Sequence, residues 1–375
     1  MAAQFGVNAT ITAEAARPIS IESITPIGIA GTAEGIEDEL YFYGSVTAAK
    51  KALEAAEAAG SLLRAIRAID EQSVETPIIF SVFTEGGSEG ETTTACRNAI
   101  EAFRNASGEF GYTPNILIAP EYSHIAAVAS TLQGEAERLS ATGVVDLGGV
   151  NESAALTQAD AFGTKRLILL NPKVKVYSEE QNDYVYEPLS ARYAGLRAKT
   201  DGESEYGWAD SASNRVLNGV FGTQRPVEFV MGADCEADRL RTAHIGTVIR
   251  QEGFRLWGEE TTDQDTIWQD LTRVRVFDRV SEACQKGVFF AVDKKADQLL
   301  YAKLSVEELL RALKGASVLI GYDVEWNAAQ NTLANITAGK FYLDVRMQNM
   351  PIVKTLELNF IYSDAWGEEL MNSIG

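Results

Sequence analysis

The chain has 375 residues, 46% hydrophobic and 23% charged, with a formal net charge of −20 and a pI near 4.6. That length permits more than one core, and no apolar run approaches the roughly 18–20 residues of a membrane span, so membrane insertion is not expected. So acidic a surface is a poor match for phosphate backbones, which argues against nucleic acid as a direct partner.

The opening MAAQFGVNAT lacks a basic region followed by an apolar stretch, so no secretory leader is expected. Three widely spaced cysteines (Cys96, Cys235, Cys284) fit buried thiols in a reducing compartment, not a disulfide framework or a zinc site. Near the start, Phe5, Val7, Ala9 and Ile11 alternate with Gln4, Gly6, Asn8 and Thr10, the period of a half-buried strand. Residues 17–33 (RPISIESITPIGIAGTA) read as an extended entry holding a second apolar strand at 27–30. From there the elements alternate regularly. Ser45 is placed to cap a helix over 46–69, with Gly60 as a break or kink. Strands are expected at 78–83, 115–119, 144–147 and 166–170. Helices are expected at 92–105 (with Gly108 just past its end), 123–141 and 153–162. Short continuous apolar strands separated by helices mean βαβ crossovers and a largely parallel sheet covered on both faces.

Residues 200–214 are polar and Gly-rich and read as a loop. Two strands follow, 247–250 and 254–257, joined through Glu252-Gly253. A long helix over 264–284, a helix capped by Ser305 and ended by Gly315, and strands at 318–324 and 340–347 make an α+β unit. The stretch 351–362 (PIVKTLELNFIY) sets Leu356, Leu358, Phe360 and Tyr362 on one side and Thr355, Glu357, Asn359 and Ile361 on the other. Strands at both extremities either fold back into their own sheet or cross to another copy and complete its sheet by strand addition. The pattern alone leaves both open. The fold class is α/β plus α+β, divided as an extended arm over 1–25, an α/β domain over 26–245, an α+β domain over 246–350 and a second strand arm over 351–375.

No convincing active site assembles. The loop TEGGSEGETT at 84–93 follows a strand and precedes a helix, where α/β folds bind phosphate, but it has neither GxxxxGK[ST] nor GxGxxG, and its glutamates would repel an anion. Ser123, His124 and Asp146 could be imagined as a catalytic set, yet EYSHI is not a nucleophile elbow, and neighbours in sequence rarely make the required hydrogen bond. His244 has no metal-spaced partner, and both histidines read as structural. The runs Glu259-Glu260 and 263–265 read as wet charged faces. No cofactor, metal or catalytic residue is expected.

Several stretches together resemble the contractile tail sheath family, the sheaths of contractile-tailed phages, R-type pyocins and related injection machines. Arg17-Pro18-Ile19 leading to Gly28-Ile29 and Gly31-Thr32-Ala33 resembles the family's opening. In 189–217, Ala194-Gly195, Asp201, Gly207-Trp208 and Ser213-Asn214 match a stretch where an Ala-Gly turn precedes a "D…G.W.aPSN" signature, with the usual Pro replaced. Gly253, Arg255, Trp257 and Gly258, continuing through Thr261, match "GfrlWGarT", and Glu259 stands where that motif has Ala. A long helix with Arg273 and Arg275 follows as in the family. Asn331-Thr332 and Gly339-Lys340 then precede a strand and Pro351. The matches run in order over nearly the whole chain.

The resemblance implies a structural subunit, not an enzyme. Such a subunit polymerises helically around an inner tail tube and contracts to drive that tube through a cell envelope. By the resemblance the domain over 26–245 is outer and that over 246–350 inner and tube-facing. The arms would link neighbours by β-strand addition, with Phe5, Val7, Ile11, Leu356, Leu358, Phe360 and Tyr362 as inter-subunit contacts. Lys294, Lys295, Arg311 and Lys314 are candidates for contact with the tube. The implied partners are further copies of the chain, the inner tail tube protein, and baseplate and tail terminator proteins. The implied location is a virion tail or contractile particle assembled in the bacterial host cytoplasm. Two rival readings are an α/β enzyme handling a nucleotide or acyl group with an appended α+β domain, and a shell protein that polymerises without contracting.

Overall fold

The computed structural model describes residues 17–374, so Phe5, Val7 and Ile11 lie outside the described residues. Strands β1 (Ile27–Gly31), β2 (Leu40–Tyr43), β3 (Ile78–Val82), β4 (Ile116–Ile118), β5 (Thr142–Asp146) and β6 (Leu167–Leu170) form most of one large sheet. A separate three-stranded sheet holds β7 (Val174–Ser178), β8 (Asp183–Glu187) and β9 (Gly222–Thr223). The large sheet is completed by β10 (Ile245–Arg250) and β11 (Phe254–Trp257), in the order β11-β10-β6-β5-β4-β1-β3-β2. Pairing is parallel from β3 to β10 and antiparallel at both edges.

Helices cover both faces. Alternate residues of the apolar strands explain how. Ile27, Ile29, Ile78, Phe80, Ile116, Ile118, Ile168 and Leu170 pack on one side with α1 (Val46–Ala55), α2 (Ser61–Asp70) and a helix beginning at Ser190. Ala30, Ile79, Leu117, Val145, Leu167 and Leu169 pack on the other with α3 (Glu89–Ala102), α4 (Ala106–Phe110), α5 (Ala126–Leu139) and α6 (Glu152–Ala159). A strand buried on both faces needs no polar alternation, which is why these segments read as unbroken apolar runs.

The expected helix over 46–69 is two helices. Gly60 takes φ +144, and a Cβ there would stand 2.3 Å from the Thr32 carbonyl oxygen. Ser45 caps the first by accepting from the Ala48 N–H. The helix expected over 92–105 starts at Glu89, capped by Ser88, and runs through a 3-10 turn into α4, which ends at Gly111 rather than Gly108. Strands β10 and β11 were expected in the second unit; β10 instead pairs with β6 and carries β11 onto the edge of the large sheet. Helix α7 (Ser190–Gly202) occupies ground where an Ala-Gly turn was expected, and Gly195 inside it lets the helix pass against Ile69 of α2. It is followed by α8 (Glu236–Thr242).

The second unit packs α9 (Leu271–Val288) and α10 (Gln298–Gly315) on an antiparallel hairpin of β12 (Leu319–Trp326) and β13 (Leu343–Asn349), with α11 (Leu333–Thr337) in its connection. Asp270, not a residue near 264, begins α9 by accepting from the Thr272 N–H. Ser305 lies inside α10 and is fully buried, so the helix starts seven residues before it. The core of this unit closes around Trp208, fully buried although it sits in the polar stretch 200–214. Its indole N–H donates to the Glu205 carbonyl at 3.2 Å. Beyond β13, residues 350–364 carry no regular secondary structure, and α12 (Gly367–Ile374) follows.

Trp208→Ala opens a cavity under α9 and α10 and is expected to cost about 3–5 kcal/mol of subunit stability. Urea unfolding of the dilute protein measures it, with Phe360→Ala, which removes an exposed ring, expected within about 0.5 kcal/mol of the parent.

Candidate assembly interfaces and a buried charge joint

The four residues read as arm contacts on the C-terminal side lie on the surface. Leu356, Leu358, Phe360 and Tyr362 are all exposed, the last two at 89% and 91%, and residues 351–364 form no ladder with the other described residues. The expected strand is therefore not formed, and the ribbon is exposed on both sides from Val353 onward. Beside β12 and β13, whose outer edges are unpaired among the described residues, lies a mostly apolar cleft of about 860 Å³ between α9, α10 and the hairpin. Lys294 and Lys295 line it and are exposed. Arg311 and Lys314 are exposed too, but sit near the other end of α10, about 20 Å away along the axis. The four basic candidates make two separate pairs, not one patch.

The N-terminal segment lies against the second unit before it enters β1. Ile19 and Ile21 pack on the core around Val280 and Val288, and Ile19 rests on Gly287, where a Cβ would come within 2.5 Å of it. Arg17 stacks on Phe290, 4.2 Å from the ring centre. Arg279 on α9 then holds the backbone, donating to the carbonyls of Glu22 at 3.3 Å and Ile24 at 2.9 Å and to the Thr25 hydroxyl at 2.8 Å.

Thr25 leads into a cluster of buried charges. Its hydroxyl donates to Asp201 Oδ2, which also takes a short bond from Arg275, with Arg279 at 3.7 Å. Arg197, one turn before Asp201 on α7, donates to Oδ1 through Nε at 2.9 Å and Nη2 at 2.6 Å. Arg197 Nη1 reaches on to Glu259 at 3.2 Å, whose carboxylate also accepts from Tyr193, Ser211 and the Ala212 N–H at 2.9, 3.0 and 2.7 Å. Burial works to raise the Asp201 carboxyl, but the guanidiniums of Arg197, Arg275 and Arg279 hold it below the ordinary carboxylate range. Burial and the neighbouring Arg275 push Arg279 down to about 10.

Glu259 and Glu260 were expected on a wet face. They are 5% and 9% exposed. Glu260 accepts from Arg241 at 3.0 Å and from Lys354, at the root of the C-terminal ribbon, at 2.9 Å. Burial opposes these cations, yet Arg241 and Lys354 hold its carboxyl below the usual value. The motif residues build the corner that places both carboxylates. Gly253 and Gly258 take φ of +116 and +97 at either end of β11. Arg255 donates to the carbonyls of Gln251 at 2.8 Å and Asn214 at 2.7 Å. Trp257 donates to Asp238 at 3.0 Å and lies under Arg241. Ser213 and Asn214, from the other matched stretch, bond to Gly258 N–H and Leu256 carbonyl, so the two motifs brace each other.

One periodicity alone foreshadows this joint. Leu271, Arg275, Arg279 and Ala283 recur every four residues along α9 and are all buried, so two arginines lie in an apolar stripe.

The imagined catalytic set is not assembled. Ser123 is fully buried and bonds Asp146, while His124 is exposed. Asp146 accepts from the Leu189 and Ser190 N–H groups, capping α7, and burial pushes its carboxyl up. In the Gly-rich loop, Glu85 accepts from Tyr122 at 2.6 Å and Ser88 caps α3, so the loop's polar groups serve the chain itself.

A family model of the phage tail sheath protein central domain matches residues 89–262. A putative prophage major tail sheath protein of Pseudomonas aeruginosa (strain UCBPP-PA14) is 34% identical over 313 residues, 82% of this chain and 79% of that relative. The chain belongs to the tail sheath protein family. The tail sheath protein of Escherichia phage P2 is 25% identical over 392 residues, covering 98% of each chain. The fold is that of solved sheaths. The anti-feeding prophage helical sheath in its contracted state superposes with a TM-score of 0.72 at 20% identity, over 97% of this chain and all of that one. The sheath of an extracellular contractile injection system, PVC, also contracted, gives 0.71 at 17%, over 97% and 98%. The resemblance read from the motifs therefore holds, and the chain is a structural sheath subunit, a particle component with a mixed α/β and α+β fold.

Asp201→Asn leaves three arginines facing one another and is expected to cost about 3–5 kcal/mol. The pH sign follows from the lowered carboxyls of Asp201 and Glu260. Their contribution is present above the ordinary values of 3.8 and 4.5 and is lost as pH falls through the lower folded ones. Urea midpoints of the unassembled subunit should thus fall below about pH 4, and Asp201→Asn should flatten that fall.

Proposed function

We propose that this sheath subunit polymerises helically around an inner tube and contracts, its neighbours joined by exchanged arms. The observation that carries the reading is the ribbon at 351–364, whose backbone and whose Leu356, Leu358, Phe360 and Tyr362 side chains find no partner among the described residues. The hairpin β12–β13, whose two edges are open among the described residues, lies beside an apolar cleft and is a receptor of matching chemistry. A ribbon that leaves one copy and enters the next is a heterologous contact, and repetition of it gives an open filament. The same role falls to the N-terminal arm with Phe5, Val7 and Ile11.

The tube faces the second unit, with the pairs Lys294–Lys295 and Arg311–Lys314 as its contacts. Baseplate and tail terminator proteins bound the filament at its ends, and assembly takes place in the host cytoplasm. Contraction draws on the difference in interface free energy between two packings, the extended one held kinetically, with no nucleotide consumed.

Deleting residues 351–375 is expected to leave a folded subunit, because no part of the core is removed, and to abolish tubular particles in electron micrographs of the purified protein. Tubes of ordinary length from the shortened chain would refute the linkage.

A further inference from the structure

Both arm roots are tied to one corner of the molecule. Lys354, five residues past β13, bonds Glu260 at 2.9 Å. The N-terminal root bonds Arg279 and, through Thr25, Asp201; Asp201 is bonded by Arg197, and Arg197 bonds Glu259. The two glutamates are adjacent, and the Glu259 N–H donates to Glu260 Oε2 at 3.0 Å. One connected set of bonds thus runs from Glu22 to Lys354 through residues 259 and 260.

We propose that Glu259 and Glu260 act as positioning residues that fix where both arms leave the subunit, so that a pull on either arm enters the same buried corner. This rests on the reading that the arms link neighbours, and it goes further in naming where the linkage is anchored. The geometry has the required properties. Glu259 is held by five hydrogen bonds from four donors, on α7 and in the stretch after Trp208, so it cannot swing. Glu260 has a second cation, Arg241, which keeps it in place if Lys354 lets go. The C-terminal tether, made to a half-exposed lysine, is the weaker of the two, and the N-terminal one, entirely buried around Thr25, is the stronger. Alanine, the residue the family motif has at 259, could make none of these contacts, so this anchoring belongs to this chain and to relatives that share the glutamate.

The test is limited proteolysis of the dilute, unassembled full-length subunit. Glu-C cuts after Glu22 and trypsin after Lys354, and each rate is taken relative to a tryptic site on α3, Arg97. Loss of one charge-assisted bond corresponds to about tenfold in local opening. Glu259→Gln is expected to raise cleavage after Glu22 about tenfold relative to Arg97, and Glu260→Gln to do so after Lys354. Because Glu259→Gln also weakens the core, Thr25→Val and Thr25→Ser serve as a second pair. Valine is expected to raise cleavage after Glu22 and serine, which keeps the hydroxyl, to restore it. A uniform rise at all sites, unchanged rates at Glu22 and Lys354, or equal behaviour of Thr25→Val and Thr25→Ser would each overturn the proposal. These readouts need no assembly. Selective cleavage in variants whose tubes form normally would therefore uphold the anchor and refute the linkage.

Discussion

The structure depends on the neutralisation of Asp201. This carboxylate has no exposed surface, and it lies in the last turn of α7, where the helix dipole disfavours an anion. Alone it would be untenable there, because a buried charge without partners costs several kcal/mol. Its solvation shell is built instead from Arg197 on its own helix, Arg275 and Arg279 on α9, and Thr25. The four donors come from three parts of the chain, so satisfying the one anion fixes α7, α9 and the incoming N-terminal segment together. The excess positive charge is met by Glu259 and by the carbonyls of Glu22 and Ile24.

An apolar contact of the same size would hold these parts together equally well, and buried ion pairs are weak evidence for stability as such. What differs is tolerance of displacement. Apolar side chains repack after a small slide at modest cost. Directional bonds to a guanidinium fork do not, since a shift leaves donors and acceptors orphaned in a dry interior. A subunit that transmits force between units and arms gains from a joint with one geometry. The placement of polar bonds here, at the seam between the large sheet and the α9–α10 unit, suits that requirement better than the apolar cores on either side of it.

Legibility in the sequence followed the range of the interactions. The parallel sheet was readable because β1, β3, β4, β5 and β6 are short apolar runs between amphipathic helices, and local pattern alone dictates them. The edge strands were not. β10 carries the same kind of apolar sequence, but its pairing with β6 is a choice made seventy-odd residues away. Ser305 looked like a cap because serine before Val-Glu-Glu fits that pattern, yet the stretch Gln298–Leu304 is itself helical and carries the helix through it. Glu259 and Glu260 read as solvated because charge runs usually are. Their burial depends on Arg197 and Arg241, which no local window contains. The family motifs located the corner without explaining it; the explanation is that Ser213-Asn214 and β11 are bonded to each other.

The ends of the chain pose the complementary problem. A ribbon of backbone donors and acceptors, and a hairpin with open edges, are each a liability, since either can pair with a wrong chain. Under the proposed function the two liabilities cancel, because the ribbon of one copy supplies what the hairpin of another lacks. The strong net negative charge then has a use. Like-charged subunits repel at a distance, so only a contact that combines apolar burial with a full ladder of backbone bonds overcomes the repulsion, and casual pairing is suppressed. Rigidity and freedom are divided accordingly. The charge joint holds each subunit as one body through Thr25 and Lys354, and residues 355–364, whose backbone makes no bond to the rest of the described residues, are left to take up any rotation between neighbours.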